Sequence, residues 1–326
     1  MSDSPFNPPV DLPDTLTDAV KFYANPMNCI RHVVALRWPD GIECPHCQSK
    51  REPMLLQPRR IFKCRDCRKQ FSPKTGTIFE DSPLSLDKWL VTMWMVANCK
   101  NGVSSYEVHR AIGITQKSAW FMLQRLRLAM QDEPEGQLCG IVEADETFIG
   151  GKARNMHKHV REEKITGRGP SGKTIVIGLL ERGGRARTMV GGVKSRKKQP
   201  LQSVVKEHVK PGAELHTDAL KSYEGLDSEY AHKVIDHAVE YVNGHVHTNG
   251  MENFWSLLKR ALKGTYVSVE PYHLFRYLDE QTFRFNERKD TDAGRFAKVL
   301  HNVRGKRLTY KKLIGKRDSA ASEPAL

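Results

Sequence analysis

The chain has 326 residues, of which 39% are hydrophobic and 28% charged, and its formal net charge is +14. That length and apolar fraction support two or more domains with real cores. The positive balance favours a polyanionic partner, nucleic acid before membrane, and no apolar run reaches the roughly 18 residues that a spanning helix needs.

Residues 1–14 are rich in Pro and Asp and are expected to be disordered. A helical lead-in follows over 15–40, broken at Asn25-Pro26. The seven cysteines are an odd number, and the start of the chain shows no basic and then apolar leader. Both features predict a reducing, cytoplasmic setting rather than a disulfide framework.

Four of those cysteines form two Cys-x2-Cys pairs, Cys44 with Cys47 and Cys64 with Cys67, with 16 residues between the pairs. Doubled at this spacing, the pattern is that of a four-thiolate Zn²⁺ site. Each pair closes a knuckle on one side of a tetrahedral ion, and one structural zinc is expected within a ribbon over 41–80. Phe62 and Phe71 are expected to pack beside it, and His46 to face solvent.

Residues 84–131 read as helical, and 83–131 as a DNA-binding helix-turn-helix region. Ser104 or Ser105 caps a short helix, Gly113 makes the turn, and Thr115 caps a second helix. Trp120, Leu123, Leu126 and Met130 mark the core face of that helix. Gln116, Lys117, Gln124, Arg125 and Arg127 are left as candidates to meet DNA. An ordinary packing hairpin is the competing reading.

After a polar linker, residues 140–151 read as one strand carrying Glu143, Asp145 and Glu146. Alternation puts Glu143, Asp145 and Thr147 on one face. Acidic residues are poor strand formers, so a strand that tolerates three of them is expected to face something cationic, such as a metal. Residues 152–173 form a basic loop in which Lys152 is a DNA-contact candidate. Strands follow over 174–180 and 187–193, then a helix over 199–209. A short strand ends at Asp218, Lys221 starts a short helix, and a strand covers 233–237. A helix covers 253–263, and another, of mixed aromatic and basic residues, covers 270–288.

The order three strands, helix, strand, helix, strand, helix is a ribonuclease-H-like α/β plan over 138–290. It is preceded by the zinc ribbon and the all-α helix-turn-helix region. Residues 291–326 are expected as a basic C-terminal extension with a disordered tail.

Asp145, Asp218 and Glu252 lie on separate elements of that plan. Converging carboxylates can hold two Mg²⁺ or Mn²⁺ ions about 3.5–4 Å apart for phosphoryl transfer. Lys259, seven residues after Glu252, shares its helical face and could hold a DNA phosphate. Rival readings exist. Asn249 and Glu252 have the spacing of a capping box, and Asp218 could cap the Lys221 helix.

The two cysteine pairs followed by Gln70-Phe71-Ser72 and Thr75-Gly76-Thr77-Ile78-Phe79 resemble a transposase zinc ribbon. Asp145-Glu146-Thr147-Phe148-Ile149-Gly150-Gly151-Lys152, His216-Thr217-Asp218, and the run from Asn249 to Arg260 resemble the DDE domain of the same family. These are the ISXO-like insertion-sequence transposases, related to the Merlin elements. The resemblance implies an acidic triad, with Glu252 as third ligand and Asn249 in reserve. It implies double-stranded DNA partners, namely element ends and target, and a homo-oligomer on that DNA. Two other functions compete: a zinc-ribbon regulator that binds DNA without cutting it, and a nuclease of the same fold that never joins strands.

Overall fold

The computed structural model describes residues 12–57, 59–131, 136–151, 153–165, 172–191, 197–235 and 246–315. The expectations for Lys152, for the ends of the chain and for residues 236–237 of the last strand lie outside those residues. The chain divides into two compact units, Met1–Met130 with Lys289–Leu326, and Gln131–Arg288.

In the first unit, α1 (Leu16–Tyr23) and α2 (Pro26–Arg37) are separated at the expected break. Asn25 caps α2 by accepting the Met27 N–H at 2.9 Å, and Pro26 takes the first helical position, where no N–H is needed. A small antiparallel sheet follows, of β1 (Met54–Leu56), β2 (Ile61–Lys63) and β3 (Gln70–Phe71). Phe62 and Phe71 are paired across it and buried with Ile30, Val34 and Trp38.

Three helices come next: α3 (Leu86–Asn98), α4 (Ser105–Ile112) and α5 (Gln116–Ala129). Ser104 and Glu107 form a reciprocal capping box at α4. Gly113 closes that helix in the left-handed region at φ 62°, which costs a glycine little. Thr115 caps α5 by accepting the Ser118 N–H.

The second unit is built on a five-stranded mixed sheet. Its strands are β4 (Ile141–Ile149), β5 (Thr174–Glu181), β6 (Ala186–Gly191), β7 (Glu214–Asp218) and β8 (Ala231–Ile235), in the spatial order β6-β5-β4-β7-β8. The β4–β5 and β5–β6 pairs are antiparallel, and the β4–β7 and β7–β8 pairs are parallel. The expected basic loop contains a short helix, α6 (Lys158–Lys164). Between β7 and β8 run two single 3₁₀ turns.

Helices cover both faces of the sheet. On one face Val142, Ala144, Ile177, Leu179 and Leu215 pack with Leu201 and Val205 of α7 (Lys198–His208). On the other, Val176 and Leu180 pack with Met251, Phe254, Trp255 and Leu258 of α8 (Asn249–Gly264), and with α9 (Leu274–Asn286). Strand β5 is covered on both faces, which is why it reads as an unbroken apolar run. No helix among the described residues is long and apolar enough to cross a membrane.

The expected C-terminal extension is corrected in part. Helix α10 (Asp292–His301) packs in the first unit, with the Phe296 ring 5.0 Å from Trp94 and 5.9 Å from Tyr23. Further on, Gly305 donates to the Gly76 carbonyl at 2.9 Å. The basic residues of this segment punctuate an amphipathic helix whose apolar side, Phe296, Val299 and Leu300, is buried.

Candidate active site and zinc centre

The zinc set lies in the first unit. The ligand atoms of Cys44, Cys47, Cys64 and Cys67 are all within 4.8 Å of one another. Cys44 Sγ is 3.7 Å from Cys67 Sγ, and Cys47 Sγ is 3.6 Å from Cys64 Sγ. Tetrahedral Zn²⁺ with bonds of about 2.3 Å sets its thiolates about 3.8 Å apart, so the four sulfurs fit that ion. The two knuckles share one backbone design. Gln48 and Arg68, the residues after each second cysteine, both adopt positive φ, 59° and 62°. Exposed His46 turns its Nε2 towards the Gln70 carbonyl at 3.3 Å, apart from the thiols.

The acidic set lies in the second unit. Asp145 stands mid-way along β4, on the face covered by α8, and Asp218 ends the neighbouring parallel strand β7. In the β4–β7 register Ala144 is paired with Thr217, so the next step sets Asp145 beside Asp218. Glu252, in the first turn of α8, points to solvent. Burial pushes the Asp145 carboxyl up to about 6. The N–H groups of Glu146 and Trp255 pull against that shift, while the charges of Asp218 and Glu252 push with it. The three carboxylates therefore share one electrostatic neighbourhood, although they are not all within 4.8 Å of one another, as the thiols are.

The carboxylates around them have other work. Glu143 is 1% exposed. It accepts from Arg182 Nε at 3.1 Å and from the Met251 backbone N–H at 3.0 Å. Glu146, on the opposite face of β4, accepts the Tyr223 hydroxyl. Burial, with the nearby Glu146, holds that phenol well above its usual range.

The rival capping readings do not form. Helix α8 takes Thr248 as its N-cap, which leaves Asn249 inside the helix and Glu252 one place beyond the box position. Asp218 accepts the Leu220 N–H at 3.1 Å within its own turn, and Leu220 is the cap of the 3₁₀ turn that follows. Lys259 is half-buried, two turns along α8 from Glu252.

The DNA-contact candidates on α5 need correction. Lys117 is exposed and Gln116 half-buried, with its amide donating to Ser105 Oγ at 2.9 Å. Gln124, Arg125 and Arg127 are 0%, 4% and 1% exposed. The Arg125 guanidinium donates to the carbonyls of Ile78 and Glu80, each at 2.8 Å, and lies over the Phe121 ring. These residues sit inside the first unit because α5 is packed on nearly all sides, so charge did not mark its outer face.

Trp255 sits on the apolar face of α8 with Met251, Phe254 and Leu258, and its ring belongs to the core. It is 4% exposed, but its indole Nε1 donates to Asp145 Oδ2 at 2.9 Å. Room for it comes from Gly178, which faces Asp145 across the β4–β5 pair. A Cβ there would lie 2.6 Å from the Trp255 ring and 2.2 Å from Met251 Cε.

Comparison with known proteins matches the stretches of chain that carry the two sets of residues. The family model for the ISXO2-like transposase domain matches residues 137–286, and that for a transposase zinc-ribbon domain matches 26–70. A transposase-like protein of Haemophilus influenzae is 37% identical over 87 residues, 26% of this chain and 70% of that protein. The chain belongs to the ISXO2-like transposase family. A protein of the transposable element ISH50 in Halobacterium salinarum is 27% identical to this transposase over 255 residues, 74% of this chain and 85% of that one. A solved chain from a simian T-cell lymphotropic virus intasome in complex with the PP2A regulatory subunit B56 gamma is 12% identical, covering 57% of this transposase and 66% of that chain. Its TM-score of 0.27 carries no argument about the fold.

Proposed function

We propose that this transposase binds the ends of its insertion sequence and catalyses metal-dependent strand cleavage and transfer on a ribonuclease-H-like domain. The observation that carries the reading is electrostatic. A strand, its parallel neighbour and a helix each bring a carboxylate into one neighbourhood, where the half-buried Asp145 is raised to about 6 in part by the other two. Carboxylates gathered so that they raise one another's pKa favour a cation between them, and hard oxygen donors suit Mg²⁺ or Mn²⁺. Bound there, two such ions would activate the attacking hydroxyl or water and stabilise the leaving oxygen. Asp145, Asp218 and Glu252 would hold them, with Asn249 as the alternative third ligand. Lys259 and the net charge of +14 would hold the phosphate backbone.

The sheet order, with its central β4 antiparallel to β5 and parallel to β7, supports the ribonuclease-H-like assignment. The α4–α5 hairpin, with Lys117 outermost, supports a helix-turn-helix role in end binding, in a homo-oligomer assembled on the two ends.

The test uses full-length, zinc-loaded protein with DNA carrying the element's ends and a plasmid target. Mg²⁺-dependent nicking and joining are expected. Asp145→Asn, Asp218→Asn and Glu252→Gln should each lose both activities by orders of magnitude while still binding the ends. Cleavage without joining would make the protein a nuclease, and binding without cleavage in either metal would make it a regulator.

A further inference from the structure

We infer that Trp255 is a positioning residue for the metal site, its indole N–H fixing the plane of the Asp145 carboxylate before any ion arrives. The inference rests on the metal-site reading above. It starts from the two oxygens of Asp145. Oδ1 accepts the backbone N–H of Glu146 at 2.8 Å, and Oδ2 accepts Trp255 Nε1 at 2.9 Å. With one donor on each oxygen, rotation about the carboxylate's last bond is blocked. One lone-pair direction remains on each oxygen for a ligand. Without the indole, only the Glu146 contact would orient the group.

The donor itself is held rigidly. The Trp255 ring stands edge-on to Phe254 at 5.3 Å and fills the space left by Gly178. Trp255 also lies one turn beyond Glu252, so the helix that offers one carboxylate also orients another.

A second contact makes the effect local. One turn before Trp255, the Met251 N–H is bonded to Glu143, two residues before Asp145 on the same face of β4. Two residues of a strand advance about 6.6 Å, and four residues of a helix about 6 Å. The two contacts therefore match in spacing and fix α8 to β4 at two points. Loss of the indole N–H leaves the Glu143 contact and the apolar packing to keep the helix in place. What is lost is the orientation of Asp145.

The experiment measures Mn²⁺ binding to full-length, zinc-loaded protein without DNA, by the electron paramagnetic resonance signal of free Mn²⁺, alongside melting temperature. Trp255→Phe keeps the ring and removes the donor. It should weaken Mn²⁺ binding about 10-fold, as loss of a ligand-orienting partner does elsewhere, with little change in melting temperature. Trp255→His, which keeps a donor in a smaller ring, should melt lower and bind Mn²⁺ better than Trp255→Phe. Asp145→Asn is the reference. If Asp145→Asn loses Mn²⁺ and folded Trp255→Phe binds it as the parent does, this inference is overturned and the metal site stands. If Asp145→Asn itself binds Mn²⁺ normally, the metal-site reading fails first.

Discussion

Glu143 Oε2 accepts the Met251 backbone N–H at 3.0 Å, so a residue of the central strand caps the helix that carries Glu252. The same carboxylate receives Arg182, whose side chain is 26% exposed. The third residue of β4 and the fourth of α8 are thus acids in opposite settings, Glu143 buried against a guanidinium and Glu252 exposed. Glu143→Gln is expected to cost about 2 kcal/mol of stability, below the value for a wholly buried pair because Arg182 is partly solvated. Glu252→Gln should cost under about 0.5 kcal/mol and abolish cleavage. Urea denaturation and end cleavage on both variants check this, and equal stability losses would contradict it.

Acid should act through Asp145. Its pKa lies above the ordinary value of 3.8, so ionising it opposes folding above pH 6 and not below the usual carboxylate range. In protein without divalent cations, this group adds stability as pH falls from above 6 towards 4. Asp145→Asn removes the charge and is expected to stabilise zinc-loaded, Mg²⁺-free protein at pH 7.5 by about 1–3 kcal/mol. Below pH 6 the parent should need more Mg²⁺ for cleavage. A destabilised Asp145→Asn at pH 7.5 would count against the shift.

Arg125 is expected to matter for folding. Arg125→Ala leaves the carbonyls of Ile78 and Glu80 without their donor and should cost about 2–4 kcal/mol. Lys117→Ala should leave the melting temperature unchanged, weaken end binding and lower its salt dependence by about one counterion. Binding isotherms at several salt concentrations, with thermal melts, separate the two.

Zinc should hold the ribbon. Purified protein is expected to carry about one Zn²⁺ per chain, and Cys64→Ser should lose it together with the packing of Phe62 and Phe71. Elemental analysis and near-ultraviolet circular dichroism measure both effects. Folded protein with no zinc would refute the assignment.

Much of this was legible in the sequence because it is local. The cysteine spacing, the caps at Ser104 and Thr115, the turn at Gly113 and the alternation along β4 depend on a few neighbouring residues. What was hidden depends on residues far apart. Charge on Arg125 and Arg127 suggested an outer face, but α5 is enclosed on nearly all sides, and Arg125 is accommodated there by two backbone carbonyls. Trp255 had two chemistries, an apolar ring and one N–H, and the pattern revealed only the ring. The box spacing of Asn249 and Glu252 was a coincidence, since the cap came from Glu143, more than a hundred residues away.

The return of α10 to the first unit also sets an order of events during synthesis. Domains usually form from the N-terminus as the chain emerges. Here Phe296, which sits against Trp94 and Tyr23, is made after the entire second unit. The first unit therefore waits, lacking one of its core helices, while the sheet that bears the carboxylates is already complete in sequence. A copy of the gene cut short after residue 288 would keep every zinc and metal ligand named above, and would still leave the first unit with an open apolar face.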